Sequence, residues 1–194
     1  MSFEKEKKDF LAKKDKSRKG HVDIKIKRLV NKINSLPDFY TTSSCSGRIL
    51  LLDIPKSNKK NEVEYLFCSH KKIKYNEIKK IISRKLPKNE VWFMVAPVIL
   101  HIACKNLDNA RKLLNLARDI GFRRSGIISI ARKIILELIS TEKIETIVSK
   151  NGKLVIGEDY FKILVKEGNE KLERTWEKIE KFYNELNKFT LSTK

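Results

Sequence analysis

The chain has 194 residues, 41% of them hydrophobic, which suits one globular domain or at most two small ones with a buried core. Its 43 basic against 24 acidic residues give a formal net charge of +19, an excess that favours a polyanionic partner, nucleic acid ahead of an anionic membrane. A mostly charged N-terminus and a longest aliphatic run of only Ile49 to Leu52 argue against a signal peptide or a membrane span.

Two helices are predicted first, over 3–14 and 23–36. The first is mostly charged. The second has apolar residues at helical spacing on one face, and Pro37 follows its end. These apolar residues are Ile26, Leu29, Val30, Ile33 and Leu36.

The segment between these helices is basic and contains a serine. Lys16, Ser17 and Lys19 precede a break at Gly20. Charge runs of this kind are usually solvated linkers, but a serine flanked by cations can also form a turn that grips phosphate.

The stretch 39–53 is the most unusual part of the sequence. Its second half, 49–53, is typical of a buried strand, whereas strict alternation in the first half puts hydroxyl groups on both faces. Gly47 and Arg48 separate the halves, and the whole stretch is predicted to be a hairpin. Two interpretations stay open: a lining for a polar ligand with Arg48 as a bidentate anchor, or a hydroxyl-rich edge hairpin with Gly47 at a turn or bulge.

The remaining elements alternate without strict order, which predicts an α+β protein: a single domain over 1–194, with a mixed or antiparallel sheet and flanking helices. Pro97 is expected at a bulge or edge, Gly121 after a helix and Asn151-Gly152 at a turn. The predicted elements are a strand at 63–69, a helix at 75–85, an extended stretch at 91–104, a helix at 107–120, strands near 127–132, 133–140 and 144–148, and a long C-terminal helix at 158–189.

Several chemical signatures are absent from the sequence. There is no GxGxxG, P-loop or GxSxG motif, so we expect no Rossmann-type dinucleotide fold, no nucleotide-triphosphate fold and no serine-hydrolase elbow. Cys45, Cys68 and Cys104 form no CxxC pair, which favours reduced cytoplasmic thiols, and no metal site is expected. His101 lies inside an apolar run and is either a packed sheet residue or a base near neutral pH.

Several motifs taken together resemble the tRNA wybutosine-synthesizing protein 3 family, in order and over nearly the whole chain. Ala96 and Thr146 depart from the family pattern, the first where an acidic residue is frequent and the second where a proline is frequent. The matching segments are Asp15-Lys16-Ser17 with Lys19-Gly20 and Asp23, Thr41-Thr42-Ser43-Ser44-Cys45-Ser46-Gly47-Arg48, Ser69-His70, Pro97 with Leu100-His101, and Gly121-Phe122-Arg123 with Ser125-Gly126-Ile127.

The resemblance implies an S-adenosylmethionine-dependent methyltransferase acting on tRNA-Phe. Its target is then N4 of the tricyclic wyosine-type base just 3′ of the anticodon. A basic protein can grip the anticodon stem-loop by its phosphates. A base in a loop can be splayed out and stacked on an aromatic ring, for which Tyr40, Trp92 and Phe122 are candidates.

The same resemblance assigns roles to particular residues. The expected methyl-donor site is Ser43, Ser46, Gly47 and Arg48, with Arg48 on the methionyl carboxylate. Asp23 or His101 is expected to accept the proton, with Ser44 as a further catalytic candidate. The expected RNA contacts are Lys16, Ser17, Lys19, Tyr40, His70, Trp92, Arg123 and Ser125.

Two other classes of function stay open. A non-catalytic RNA-binding module would use the serine row on phosphates, and the missing Gly-rich donor loop is compatible with it. An interaction scaffold would use the long C-terminal helix, but it explains neither the charge nor the segment from Thr41 to Arg48.

Overall fold

The strands of the computed structural model form two separate antiparallel sheets. The structure describes residues 2–13, 21–57 and 59–191. Sheet A has the strand order β1-β5-β7-β6, and sheet B has the order β3-β2-β4-β8-β9. In these residues the strands are β1 Phe39–Cys45, β2 Arg48–Ile54, β3 Glu64–Ser69, β4 Glu90–Ala96, β5 Ile99–Cys104, β6 Gly126–Ser129, β7 Ile134–Ile139, β8 Ile144–Lys150 and β9 Lys153–Leu154.

The helices are distributed along the whole chain. They are α1 Phe3–Leu11, α2 Ile24–Ser35, α3 Tyr75–Ile82, α4 Leu107–Asp119 and α5 Glu158–Leu191, with a short 3-10 helix at Lys60–Glu62. Helix α5 is continuous through Gly168. Within the described ranges, no helix is both long enough and apolar enough to cross a membrane.

The chain divides into two compact units. The first comprises Met1–Ser46, Val98–Thr141 and Thr175–Lys194 and contains sheet A. The second comprises Gly47–Pro97 and Glu142–Arg174 and contains sheet B. The prediction of a single domain over 1–194 stays a prediction.

The core of the first unit lies on one face of sheet A. Side chains of α2, α4 and the last part of α5 pack there with alternate residues of β5 and β7, because helical and strand periodicities each place an apolar row on that side. This core includes Ile26, Leu29, Ile33, Leu100, Ile102, Leu113, Phe122, Leu136, Leu138, Ile179, Phe182 and Leu186.

The second unit buries one of its inner strands, β2, almost completely. All five interior residues of β2, Ile49 to Asp53, are buried, since β2 lies between β3 and β4. Helix α5 comes unusually close to this sheet at Gly168: a Cβ there would lie 3.2 Å from Phe93 Cζ and 3.2 Å from Val95 Cγ2. A Cβ at this position would require Phe93 and Val95 to shift by a few tenths of an ångström, so glycine favours the close packing.

One prediction about strand pairing is wrong. The stretch 39–53 is not a hairpin, because β1 pairs with β5 in sheet A whereas β2 pairs with β3 and β4 in sheet B. The extended stretch 91–104 forms two strands, β4 and β5, in different sheets, with Pro97 between them. Local patterns predicted the extended backbone correctly, but the partner strands lie far away in sequence.

The fold class and the turn chemistry are confirmed. Both sheets are antiparallel, with flanking helices and a long C-terminal helix, so the fold is α+β and not Rossmann. Gly121, which follows α4, has φ +110°, a conformation suited to glycine. Asn151 and Gly152 have φ +53° and +76°, as the hairpin joining β8 to β9 requires.

Candidate active site

Strand β1 contains a bulge that decides which side chains share a face. Tyr40 pairs with Ala103 and Ser43 pairs with His101, so the register shifts between Thr41 and Ser43. Ala103 and His101 are two residues apart on β5 and face the same side, so Tyr40 and Ser43 also share that side. Strict alternation had placed them on opposite faces; that prediction is wrong because of the bulge.

The two faces of β1 have different surroundings. Leu100 and Ile102 of β5 belong to the core beneath the helices, and Ser44 pairs with Leu100 on that side. His101 alternates with them and points to the opposite face, which we call the open face of sheet A. Ser44 and His101, both expected to be catalytic, therefore lie on different faces.

Asp23 holds the end of β1 in place. It precedes α2, and its Oδ2 accepts hydrogen bonds from the backbone N–H of Ser46 at 3.1 Å and from Ser46 Oγ at 3.2 Å. The Ser46 side chain is fully buried. Hydrogen bonds to a carboxylate are stronger than neutral ones, so Asp23 fixes the backbone just before Gly47.

Gly47 and Arg48 begin the second unit with an unusual backbone. Gly47 has φ +90°, a conformation that residues other than glycine rarely adopt. Arg48 pairs with Ala96 on β4, and its guanidinium carbon lies 5.9 Å from the Tyr65 ring centroid.

The Arg48 Nε is buried, and no hydrogen-bond partner for it exists among the described residues. In the same part of the chain, Arg48 forms no ion pair with Asp53 or Glu64, two acids of β2 and β3 that could hold it in a purely structural role. A guanidinium with a buried, unpaired N–H has capacity for an added anion.

A row of three polar side chains crosses the open face of sheet A. Ser43 Oγ lies 3.2 Å from His101 Nδ1, and His101 Nε2 lies 2.9 Å from Glu137 Oε2. The register explains the row, because Ser43 pairs with His101 and His101 pairs with Glu137 on three neighbouring strands. The three groups are thus held in sequence by backbone pairing.

Tyr40 is not available to stack on an RNA base, so its predicted role is wrong. Its side chain is fully buried, and the ring centroids of Phe3 and Phe10 from α1 lie 5.5 and 5.3 Å away. Its hydroxyl donates to Glu6 Oε1 at 2.8 Å, and Glu6 also pairs closely with Lys133. Burial, with the Glu6 hydrogen bond, raises the pKa of Tyr40, while Lys133 lowers the pKa of Glu6.

Ser125 is likewise not an RNA contact. It is buried, and its Oγ accepts a hydrogen bond from the Ile139 N–H at 3.0 Å, so it joins the turn after α4 to β7. Phe122, a further candidate for stacking, is fully buried in the same unit. Arg123 between them is exposed and stays a candidate for RNA binding.

The other predicted RNA contacts are placed as follows. Trp92 is half-buried on β4, opposite Leu52. His70, also half-buried, directly follows β3. Lys16, Ser17 and Lys19 lie outside the described residues.

Two candidate functional residues were missed from the sequence. Glu137 is the lone acid in the apolar strand 134–139, which was a usable signal because strands bury charges reluctantly. Tyr65, 45% exposed on β3 beside Arg48, carried no comparable signal.

The three cysteines differ in exposure. Cys45, Cys68 and Cys104 are all free thiols. Burial raises the pKa of Cys104 to about 12, so this thiol is unreactive at neutral pH. Cys68 is exposed on β3.

Comparisons with known proteins agree on one family. The profile described as Methyltransferase TYW3 matches residues 5–188. A Pyrococcus horikoshii protein named tRNA(Phe) 7-((3-amino-3-carboxypropyl)-4-demethylwyosine(37)-N(4))-methyltransferase 1 is 37% identical, covering 96% of this chain and 95% of that protein. The human tRNA wybutosine-synthesizing protein 3 homolog is 38% identical, over 94% of this chain and 71% of its own length.

Solved structures show the same fold. A Pyrococcus horikoshii structure superposes with a TM-score of 0.86 at 36% identity, covering 95% of this chain and 96% of the other. A structure of a hypothetical protein from Aeropyrum pernix has a TM-score of 0.74 at 26% identity, covering 86% and 98% of the two chains.

Proposed function

Because the chain belongs to the methyltransferase TYW3 family, we propose that it methylates N4 of the tricyclic wyosine-type base just 3′ of the anticodon in tRNA-Phe. Family membership confirms three expectations from the sequence: the chain is an enzyme, it modifies tRNA, and its methyl donor is S-adenosylmethionine. The cytoplasm, where its free thiols stay reduced, is the proposed place of action.

The observation that supports the donor site is the buried, unpaired guanidinium nitrogen of Arg48. This Nε has no hydrogen-bond partner in the described part of the chain. Arg48 directly follows Gly47, whose φ of +90° favours glycine, so no side chain at position 47 blocks the backbone there. An amino-acid carboxylate fits such a group by bidentate hydrogen bonding. These residues therefore suit the methionyl end of S-adenosylmethionine, and we assign the carboxylate to Arg48.

The neighbouring residues prepare this site. Asp23 fixes the Ser46 backbone through two hydrogen bonds, which positions the approach to Gly47. Such preorganisation reduces the cost of orienting the two reactants.

The methyl donor supplies an electrophilic methyl group on a sulfonium. The protein must hold the target nitrogen in line with that group and provide an acceptor for the N–H proton. Asp23 or His101 accepts this proton in the proposal.

The tRNA side of the proposal rests on charge and on two aromatic rings of sheet B. With a net charge of +19, the protein attracts the phosphates of the anticodon stem-loop. Arg123 is exposed for such a contact. Trp92 and Tyr65 pair with Leu52 from either side of β2, and they offer rings on which a splayed base can stack.

Two assays test the proposal together. Calorimetry measures S-adenosylmethionine binding, and transfer of a labelled methyl group measures activity on tRNA-Phe carrying the demethyl precursor. We expect donor binding and transfer to the precursor but not to unmodified tRNA-Phe. Binding of tRNA without binding of the donor would instead support the non-catalytic RNA-binding module.

A further inference from the structure

The chemistry of Ser43, His101 and Glu137 fixes which groups donate and which accept in the hydrogen bonds of the row. The Glu137 carboxylate can only accept hydrogen bonds, so His101 Nε2, at 2.9 Å, must carry the proton of their hydrogen bond. In the neutral imidazole Nδ1 is then an acceptor, and Ser43 Oγ at 3.2 Å is its donor. The ring is thus held in the tautomer whose free lone pair points at Ser43.

The exposure of the row is graded. Ser43 is exposed, whereas the side chains of His101 and Glu137 are only 29% and 27% exposed. A substrate reaching the open face of sheet A therefore meets the serine hydroxyl first. Phe3 and Phe10 of helix α1 pack against Tyr40, the neighbouring residue on this face.

The row is also close to the predicted donor segment. Ser43 precedes Ser46 by three residues on an extended strand, a separation of about 10 Å at roughly 3.3 Å per residue. Asp23, the other candidate base, already accepts two hydrogen bonds from Ser46 through Oδ2. His101 is the candidate whose accepting nitrogen is directed toward an exposed group.

We propose that Ser43, His101 and Glu137 form a proton relay for methyl transfer, with Glu137 as a positioning residue that sequence motifs do not indicate. This inference rests on the proposed function. As the target nitrogen forms its bond to the methyl carbon and the carbon–sulfur bond breaks, the N–H proton passes to Ser43 Oγ. The Ser43 hydroxyl proton passes to His101 Nδ1, and the Glu137 carboxylate stabilises the resulting imidazolium through Nε2–H.

The first test is kinetic. Glu137→Gln keeps the shape and can still accept from Nε2–H, but it loses the charge that stabilises the imidazolium. We expect kcat for the precursor tRNA to fall about 10- to 100-fold, with little change in KM for either reactant. Ser43→Ala should show the same division between kcat and KM.

The matched control is Glu90→Gln. Glu90 also lies on a strand and pairs with a cation, Lys150, at 2.8 Å, but it is in sheet B and has no place in the relay. We expect wild-type kcat from this variant. A melting curve of each variant shows whether any loss of kcat comes from unfolding.

The second test does not depend on activity. Nitrogen-15 NMR of the imidazole reports which ring nitrogen carries the proton, and we expect Nε2–H for His101 in the wild-type protein. An Nδ1–H tautomer, or wild-type kcat in Glu137→Gln, would overturn the relay while leaving the methyltransferase function intact. Absence of transfer by the wild-type enzyme with donor and tRNA both bound would instead overturn the proposed function, and the relay's role with it.

Discussion

Strands β1 and β2 are separated by only two residues, yet their environments are nearly opposite. β1 lies at the edge of sheet A. Its first three residues, 39–41, are buried, whereas Ser43 is exposed. β2 lies inside sheet B, with every residue from Ile49 to Asp53 buried. One strand presents polar groups and the other supports the fold.

The difference teaches how an edge strand can carry chemistry. An edge strand has one neighbour, so a bulge such as that between Thr41 and Ser43 disturbs only one pairing. The bulge brings Ser43 onto the face of His101. In sheet B the register shift between β2 and β3 likewise places its extra residue on the edge strand, β3, and the pairing of β2 with β4 continues without a break.

The largest expected effect comes from removing the helical support beneath sheet A. Truncation after Arg174 deletes Ile179, Phe182 and Leu186, all at most 2% exposed and part of the core of the first unit. Large-to-small changes at such positions cost about 2–5 kcal/mol each, against a total stability of about 5–15 kcal/mol. We expect no folded protein by circular dichroism, and a truncated chain that melts like the full one would contradict this assignment of the core.

The next prediction sets the two strands directly against each other. Leu51→Ala in β2 removes a fully buried side chain, and we expect the free energy of unfolding to fall by about 2–5 kcal/mol. Ser43→Ala in β1 changes an exposed side chain, and we expect a stability change within about 0.5 kcal/mol despite the loss of activity. Urea unfolding with both variants checks this; similar losses of stability would mean that β1 is as structural as β2.

A substitution of Arg48, at the start of β2, tests whether this strand also contributes a residue to ligand binding. Arg48→Lys keeps the charge but loses the planar fork, so methyl transfer should fall by roughly 10- to 1000-fold, or about 1.4–4 kcal/mol. Arg111→Lys is the control, because Arg111 forms an exposed surface ion pair with Asp108 that is worth little. Full activity of Arg48→Lys would exclude a bidentate contact, and a collapsed melting temperature would favour a structural role.

The smallest expected effect concerns the salt dependence of tRNA binding, which shows which unit provides the basic residues that contact phosphates. The logarithm of the binding constant should fall with the logarithm of salt concentration, with a slope magnitude on the order of several. Arg123→Gln, in the first unit, should reduce that magnitude by about 1. Lys153→Gln, an exposed position on β9 of the second unit, is the control. Equal reductions would indicate phosphate contacts spread over both units, and a flat salt dependence would argue against an RNA partner.

The sequence by itself determined the elements and the family. Helical spacing of apolar residues located α2, α4 and α5 to within a few residues, because burial of one face is a local and periodic requirement. Gly121 and the pair Asn151-Gly152 marked their turns, since few residues tolerate positive φ. The segment from Thr41 to Arg48 was recognisable because its polar composition does not suit a hydrophobic core.

The candidate site was predicted only in part. Arg48 and Gly47 were identified from composition, and their backbone geometry and the buried, unpaired Nε of Arg48 support that assignment. Tyr40 and Ser125 were assigned to RNA because their residue types suit it, yet both are buried. Residue type indicates what a side chain can do, but its exposure depends on elements that pack over it from elsewhere in the chain.

Tertiary structure alone decided which strands pair and which side chains meet. The parting of β1 and β2 at Ser46-Gly47 depends on partners around 50 residues away in sequence, such as β5 for β1. The row from Ser43 through His101 to Glu137 draws one residue from each of three strands. Sequence periodicity fixes the face of a side chain relative to its own strand. Register and bulges, set by long-range pairing, fix the residue that lies opposite.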